Sequence, residues 1–291
     1  MQTVENILSS PNISNAMLQA VPISHVGLFE GFGGFSIAAK KMGWNTVAWC
    51  EWNEFAQKIL RYHFPEAEGY GDITQTDFTK YENRIDVLTG GFPCQPFSAA
   101  GKRKRDEDER YLWHEMLRAI REVQPSWVVG ENVYGLINIK RGLVLKEIKT
   151  QLEDAGYKML PLVILPACGK GAKHRRERVW IIAYSRSKFE HCSIFPEING
   201  VEIQRERNPK EWSENRQFAK MASCIGSFLE KRSDTSCING ILNEFSNRLD
   251  TSTISEEDWM RESLKGFGNA IYHNVALEIF KVLETVHRHC L

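Results

Sequence analysis

Short apolar runs alternate with amphipathic stretches along the chain from residue 25 to residue 183. The apolar runs are predicted to be buried strands over residues 25–29, 46–50, 85–88, 126–130, 157–165 and 179–183. Between them, apolar side chains recur with helical spacing over residues 37–42, 54–63, 112–123 and 143–152. Strands that alternate with helices favour a mostly parallel sheet with helices on both faces, so we expect an α/β fold.

The composition of the sequence changes after residue 184, where Asn, Ser and charged residues begin to dominate. Further on, apolar residues recur at every fourth position and predict an amphipathic closing helix: Ile271, Val275, Ile279 and Leu283. That helix needs a large apolar partner, which only the first part of the chain offers. We therefore predict an N-terminal tail (1–22), a main domain (23–184 plus 262–291) and a small second lobe (185–261).

The composition is that of an ordinary folded protein. Hydrophobic residues make up 42% and charged residues 25% of the 291 residues. No apolar run approaches the ~20 residues of a membrane helix, and we expect no signal peptide and a cytoplasmic location. The formal net charge is +0, so a nucleic-acid partner requires local basic patches. The seven cysteines are scattered without a C-x-x-C pair, which predicts free thiols in a reducing compartment.

One cysteine stands on a turn that directly follows a predicted strand. Residues 90–98 read Gly-Gly-Phe-Pro-Cys-Gln-Pro-Phe-Ser. Pro93 and Pro96 fix their own φ and restrict the residues before them, so Cys94 is held with little backbone freedom. Open α/β sheets bind ligands at the carboxyl ends of their strands. Cys94 is therefore a candidate nucleophile, and a buried structural cysteine is the alternative.

Three other predicted strand ends favour an adenosine-like ligand. The glycine-rich turn over residues 29–36 leads into a helix, although its G-x-G-G spacing is not the dinucleotide fingerprint. Glu51 follows the next strand, where a carboxylate can bind a ribose, and Trp52 offers a purine an aromatic face. Asp72 follows a third strand. A solvated charge at Glu51 and a core aromatic at Trp52 are the alternatives.

Charged residues complete the same predicted edge of the sheet. Glu131 follows the strand over residues 126–130, and the basic cluster over residues 174–178 precedes another strand. Such a cluster suits phosphate and base-edge contacts, and a salt-bridged surface turn is the alternative. In residues 101–110 a run of cations precedes a run of anions, which indicates a solvated loop or a lid. A thiol, an acid and arginines together suit covalent attack on a polarised ring.

An ordered set of motifs resembles the C5-cytosine DNA methyltransferase family. Each motif is weak alone, but the set follows the family's order across the whole main domain. Its members are Phe-Glu-Gly-Phe-Gly-Gly-Phe-Ser (29–36), Glu-Trp (51–52), Gly-Asp-Ile (71–73), Gly-Phe-Pro-Cys-Gln-Pro-Phe-Ser (91–98), Glu-Asn-Val (131–133), Arg-Arg-Glu-Arg-Val (175–179) and Gly-Asn-Ala (268–270). The resemblance implies a Rossmann-like S-adenosylmethionine-dependent methyltransferase fold with a small target-recognition lobe.

The resemblance also implies how S-adenosyl-L-methionine is bound. Glu51 is expected on the ribose and Asp72 near the adenine amine, with Trp52 and Ile73 on either side of the purine. The implied cofactor-binding residues are Phe29, Gly31, Gly33, Gly34, Glu51, Trp52, Asp72, Ile73, Pro93, Leu112 and Asn269. No metal is implied.

The implied reaction is methylation of carbon 5 of a cytosine flipped out of double-stranded DNA. Cys94 is expected to add to ring carbon 6 and Glu131 to hold a proton at ring N3. Arg176 and Arg178 are expected to grip the base carbonyl and a nearby phosphate. The resemblance further implies a phage or bacterial monomer of the restriction–modification type, with a companion restriction endonuclease as a possible partner.

Two positions depart from the family pattern: Glu30 replaces a residue that is more often small, and His174 replaces the usual glutamine. Three alternatives stay open. The RNA-directed branch of the family shares the motifs around Cys94 and Glu131, but its Cys-Phe-Thr signature is absent from the chain. A DNA-binding regulator that keeps the fold is the second alternative.

The third alternative is a metal-stabilised lobe. Its candidate ligands match no standard zinc spacing: His191, Cys192, Cys224 and Cys237.

Overall fold

The computed structural model describes residues 21–93, 112–166, 177–192, 261 and 271–291. Its strands are β1 (Ser24–Leu28), β2 (Asn45–Cys50), β3 (Glu68–Tyr70), β4 (Val87–Gly90), β5 (Trp127–Val133), β6 (Tyr157–Met159), β7 (Val163–Pro166) and β8 (Glu177–Ser185). Its α-helices are α1 (Gly34–Lys41), α2 (Glu54–His63), α3 (Trp113–Val123), α4 (Leu143–Asp154) and α5 (His273–Cys290). No helix within these ranges is long and apolar enough to cross a membrane.

The strands form one sheet in the order β3-β2-β1-β4-β5-β8-β6, and β7 also pairs with β8. The first five strands of this order are parallel, whereas β6, β7 and β5 all run antiparallel to β8. The chain moves outward from β1 to β3 in one direction and from β4 to β5 in the other. The order therefore reverses between β1 and β4, and the crevice at their carboxyl ends is where such sheets bind ligands.

Each face of the sheet is covered by helices, as the sequence predicts. On one face, Val26 and Leu28 of β1 pack in a buried cluster with side chains of α3 and α4. On the other, Val87 and Val129 pack with side chains of α1 and α5. The central strands are apolar on both sides because both of their faces are buried.

The closing helix returns to the main domain, which confirms the expectation from its periodicity. Phe280 of α5 stacks on Trp44 with ring centroids 4.5 Å apart. The indole Nε1 of Trp44 also donates to Glu284 Oε2 at 3.0 Å. The last helix therefore caps one face of the sheet and belongs to the same core as β1.

A buried histidine joins three neighbouring strands of the sheet. The ring of His25 in β1 is bonded at both nitrogens: Nδ1 lies 3.1 Å from Thr46 Oγ1 in β2, and Nε2 lies 2.9 Å from Thr89 Oγ1 in β4. Burial lowers the pKa of His25 to about 3, so the ring is neutral. A neutral imidazole has one donor and one acceptor, and two hydroxyls match both.

Two sequence-based expectations are wrong. The segment over residues 157–165 forms two strands and not one. Its pairing with β8 is interrupted around Pro161, and the two parts pair with opposite ends of β8. The thiols are not all free either: Cys192 and Cys290 form a disulfide with their Cα atoms 5.1 Å apart. These residues lie 98 positions apart and meet because α5 packs beside the segment after β8, so spacing alone does not reveal the pair.

The structure does not describe residues 193–260, which hold most of the predicted second lobe. Phe189 and Cys192, directly before that segment, are buried in the same cluster as α5. The division into tail, main domain and lobe stays a prediction.

Candidate active site

The residues that follow the parallel strands meet at one edge of the sheet. Leu28 at the end of β1 pairs in register with Cys50 in β2 and with Gly90 in β4, and Gly90 pairs with Gly130 in β5. The glycine turn, Glu51, the segment leading to Cys94, and Glu131 therefore start from one level of the sheet. Of the sequence-predicted residues, Cys94, Arg176 and Asn269 lie outside the described ranges.

The turn after β1 has an unusual backbone. Phe29, Gly31 and Gly33 have φ values of 53°, 55° and 83°, in the left-handed region. At Gly31 no atom of the described residues lies within 4 Å of where a Cβ would be, so that part of the chain leaves open space beside the backbone. Gly34 has another reason: a Cβ there would collide with the backbone carbonyl of Ile271. The turn thus lets a ligand approach at Gly31 and lets the closing segment approach at Gly34.

Glu51 ties this turn to the end of β2. Its Oε2 accepts from the Gly31 N–H at 2.7 Å, and its Oε1 accepts from the Asn53 N–H at 2.7 Å. Burial raises the pKa of the Glu51 carboxyl, and the two backbone N–H groups oppose that rise. Each carboxylate oxygen has a second lone pair for a ligand hydroxyl. Beside it, the Trp52 side chain is 76% exposed.

Asp72 begins the segment after β3. Its Oδ1 accepts from the Thr74 N–H at 2.9 Å and from the Thr74 hydroxyl at 2.8 Å, which caps a short 3₁₀ turn. No hydrogen bond to Oδ2 is found within the described part of the chain. Ile73 is buried, and half-buried Leu112 packs against the same cluster just before α3. The predicted adenine-side residues therefore occupy neighbouring elements.

Glu131 lies within β5, which runs three residues further than the sequence predicts. In the antiparallel pair, Arg178 of β8 is opposite Val133 and reaches diagonally to Glu131, with Nε 2.9 Å from Oε1. The Glu131 residue is 9% exposed. A mostly buried carboxylate with an arginine donor is held in one orientation at the mouth of the sheet.

Asn132 fixes the segment that leads to Cys94. This buried side chain donates from Nδ2 to the Phe92 carbonyl at 2.9 Å, and its Oδ1 accepts from the Val133 N–H at 2.8 Å. Phe92 is buried against Trp113, with ring centroids 5.1 Å apart, and Pro93 after it is exposed. The motif Glu-Asn-Val (131–133) contains Asn132 but does not by itself indicate this role. The signal was a short amide directly after a candidate acid.

Glu30 is a second carboxyl that sequence reasoning left without a role. It is 1% exposed, and its Oε2 accepts a long contact from the Ser36 N–H at 3.5 Å. Its Oε1 has no partner in the described residues. Gly27 provides the room, because a Cβ there would collide with the Glu30 carboxyl. Burial raises the pKa of Glu30 to about 8, so the group is neutral at pH 7.

No group of three His, Cys, Asp or Glu side chains in the described ranges is arranged to hold a metal ion. Of the four candidate ligands of a metal-stabilised lobe, Cys192 is bonded to Cys290. Cys224 and Cys237 lie outside the described residues.

The sheet order, the glycine turn after β1 and the acid after β2 define the Rossmann-like fold of S-adenosylmethionine-dependent methyltransferases. A family model for the C-5 cytosine-specific DNA methylase matches residues 23–285. The chain belongs to this family.

Curated relatives agree with that assignment. The chain is 42% identical to the Type II methyltransferase M.Eco47II of Escherichia coli over 158 residues, which cover 54% of this chain and 38% of the relative. It is 36% identical to the Type II methyltransferase M.HpaII of Haemophilus parainfluenzae over 192 residues, which cover 65% of this chain and 52% of the relative. The chain thus spans about half the length of the curated relatives it matches.

Solved structures show the same fold. The crystal structure of a Spodoptera frugiperda DNMT2 mutant superposes with a TM-score of 0.60, at 17% identity over 90% of this chain and 99% of the other. At this identity the likeness concerns the fold alone.

Proposed function

We propose that the chain is a DNA (cytosine-5-)-methyltransferase. It would transfer the methyl group of S-adenosyl-L-methionine to carbon 5 of a cytosine flipped out of a specific duplex sequence. The observation that carries this proposal is the buried Glu131 carboxylate, held by Arg178 beside the strand that leads to Cys94. An acid, an arginine and a thiol-bearing turn at one edge suit attack on a pyrimidine ring.

The described residues fit the proposed methyl donor. Glu51 can accept hydrogen bonds from the ribose hydroxyls, and Asp72 Oδ2 can accept one from the adenine amine. The exposed Trp52 offers the purine an aromatic face, and the backbone at Gly31 is open to the ligand. When bound, the donor supplies an electrophilic methyl group on a sulfonium.

The proposed chemistry starts from a poor nucleophile, carbon 5 of an aromatic ring. The Cys94 thiolate adds to carbon 6, which breaks aromaticity and moves electron density to carbon 5. Carbon 5 would then take the methyl group as its bond to the donor sulfur breaks, and S-adenosylhomocysteine would be the leaving group. Loss of the carbon 5 proton to a base restores the ring double bond and expels the thiolate, so Cys94 is regenerated.

Glu131 and the arginines would stabilise the charge that builds up during attack. Glu131 would hold a proton at ring N3 and accept from the exocyclic amine. Arg178 orients the carboxylate from the opposite strand and, with Arg176, would bind the base carbonyl and a phosphate. A free cysteine has a pKa of about 8.5, so nearby cations would be needed to raise the thiolate fraction.

The base must leave the duplex, which costs about a few kcal/mol. We assign the compensating contacts to the loop over residues 99–110 and the reading of the target sequence to residues 185–261. Both proposals come from the sequence, since these segments lie outside the described ranges apart from residues 185–192 and 261. We further propose a cytoplasmic monomer that can act beside a restriction endonuclease, because the relatives are Type II methyltransferases.

The test is transfer of tritium from methyl-labelled S-adenosylmethionine to mixed DNA and to RNA in parallel. Digestion to nucleosides should place the label on 5-methylcytosine from DNA. Label on adenine N6 would contradict the proposed chemistry, and label on RNA alone would favour the RNA-directed branch. The C94S variant is the matched control and should transfer no label while it still binds the cofactor product S-adenosylhomocysteine.

A further inference from the structure

The segment that carries Asp72 is short and irregular. It runs from Gly71 to Phe78 and contains one 3₁₀ turn, Ile73–Gln75. Its internal bonds are local: the Thr76 hydroxyl donates to the Asp72 carbonyl at 2.7 Å, and Asp72 Oδ1 caps Thr74. Such a segment has little regular structure of its own, so its position depends on hydrogen bonds from other elements.

Arg118, in the middle of α3, provides hydrogen bonds of this kind. Its guanidinium donates from one terminal nitrogen to the Ile73 carbonyl at 2.7 Å and from the other to the Thr76 carbonyl at 3.1 Å. These carbonyls belong to residues one and four positions after Asp72. Two donors on one planar group fix both the place and the tilt of the segment, which a lysine ammonium cannot do in the same way.

Two glutamates of the same helix orient the guanidinium. Arg118 Nε donates to Glu115 Oε2 at 2.8 Å, and a terminal nitrogen donates to Glu122 Oε1 at 2.7 Å. Glu122 Oε2 in turn accepts from the Phe78 N–H at 3.0 Å, at the far end of the segment. All three nitrogens of Arg118 are therefore engaged, and α3 holds the segment at Ile73, Thr76 and Phe78.

The same helix starts directly after Leu112, another residue of the proposed cofactor site. One rigid element thus sets the distance between Leu112 and Asp72. Isolated ion pairs at a third or so exposure add little to stability, so the network's stronger consequence is geometric. The carbonyls that Arg118 holds belong to Ile73, directly after Asp72, and to Thr76, at the end of the same 3₁₀ turn.

We infer that Arg118 is a positioning residue that sets the adenine-recognition edge of the cofactor site by holding the Asp72 segment. This inference rests on the proposed function and deepens it. Arg118 acts through Asp72, whose Oδ2 would accept from the exocyclic amine of the purine. Loss of Arg118 should weaken adenosyl ligands and leave the methyl-transfer step unchanged at saturating donor.

The experiment measures binding of S-adenosylhomocysteine by calorimetry to the wild type, R118M, D72N and the double variant. D72N keeps an oxygen to cap Thr74 but presents an amide donor where Oδ2 accepts. Each single variant should bind about tenfold more weakly, as expected for one charged hydrogen bond. If Arg118 acts through Asp72, the double variant should lose about the same tenfold, and independent losses would multiply to about a hundredfold.

The control is R121M, since Arg121 lies on the same helix with an exposed side chain. It should bind within twofold of wild type. R118K keeps the positive charge but lacks the planar guanidinium with its two terminal donors, so it should bind about three- to fivefold more weakly. It replaces R118M if that variant does not fold. The kcat of R118M at saturating donor should stay within about twofold, because the reacting groups belong to other strands.

The outcomes separate this inference from the proposed function. A wild type that binds no S-adenosylhomocysteine overturns the proposed function and the inference with it. A wild type that binds, together with unchanged affinity in R118M or in R118K, overturns the inference alone. Multiplicative loss in the double variant also overturns it, because Arg118 would then act on the fold as a whole.

Discussion

The two halves of the proposed site are held in different ways. On the proposed cofactor side, Glu51 accepts from the Gly31 N–H of a neighbouring turn and from the Asn53 N–H, and Asp72 accepts from the Thr74 N–H of its own turn, so short loops are fixed by carboxylates. On the base side, Glu131 and Asn132 lie inside β5, where an antiparallel neighbour and a side-chain amide hold them. The first half is a set of turns gathered by side chains, and the second is a strand that presents side chains already in register.

This contrast has a physical consequence for binding and chemistry. Loops that are tied by a few hydrogen bonds lose their shape when one bond is removed, so ligand affinity falls. Side chains on a paired strand keep their backbone when one is replaced, so the loss concerns the group itself. Changes on the cofactor side should therefore appear in KM for the donor, and changes on the base side in kcat.

The largest expected effect comes from E131Q. The amide keeps the size of the carboxylate but cannot hold the proton at ring N3, so kcat should fall by about 10²- to 10⁴-fold. Affinity for S-adenosylhomocysteine should stay within about twofold, since Glu131 is outside the turns that form the cofactor side. Single-turnover kinetics with calorimetry measures both. E190Q, at an exposed glutamate, is the control, and equal loss of binding in E131Q would break the contrast between the halves.

E51Q should show the opposite pattern. The amide can accept at only one of its two positions, so either the Gly31 or the Asn53 N–H loses its partner. KM for S-adenosylmethionine should rise by about tenfold or more with kcat little changed. The control is E54Q, since Glu54 is exposed at the start of α2. A fall in kcat without a change in KM would contradict this assignment of Glu51.

N132A should have a smaller effect on the base side. It leaves the buried Phe92 carbonyl without its donor, which should lower the free energy of unfolding by about 1–3 kcal/mol. Because that carbonyl lies two residues before Cys94, kcat should also fall, by about tenfold. Urea titration and steady-state kinetics measure the two losses. N45A, at an exposed asparagine of β2, is the matched control. Unchanged stability in N132A would show that the Asn132 hydrogen bond to the Phe92 carbonyl does not stabilise the fold.

The last prediction concerns stability alone and is the pH response of Glu30. Its pKa is raised in the folded state to about 8, so the folded protein binds a proton that the unfolded chain releases above its ordinary pKa. Stability due to this group therefore falls as pH rises towards 8 and is greatest at low pH. This loss is absent in E30Q. The difference in melting temperature, E30Q minus wild type, should therefore increase by about 5 °C or more from about pH 5.5 to about pH 7.5. If the melting temperatures of wild type and E30Q change with pH to the same extent, Glu30 is not a buried neutral acid.

The sequence predicts most of the sheet because local signals decide it. Helix α2 matches its prediction from Glu54 to His63, since Asn53 caps it through a bond to the Ala56 N–H. The residues at strand ends are also found at one edge, because parallel strands bring their carboxyl ends together. Cys94 was singled out by two prolines and a strand, which are local as well.

The contacts that position the site could not be predicted in the same way. Arg118 bonds to carbonyls 42 and 45 residues away, and Asn132 bonds to one 40 residues away, so no spacing rule reveals them. Glu30 is a different case, since a charged residue type suggests exposure, and the space at Gly27 that its buried carboxyl occupies is seen only in the fold. Long-range contacts of single side chains need the fold before they can be identified.

The central claim is that Cys94 attacks a cytosine ring, and a covalent trap tests it most directly. DNA that contains 5-fluorocytosine blocks the last step, because fluorine at carbon 5 cannot leave as a proton does. With S-adenosylmethionine present, the protein should form an adduct that survives denaturing electrophoresis, and peptide mapping should locate it on Cys94. An active enzyme that gives no adduct, or an adduct on another residue, would contradict the account.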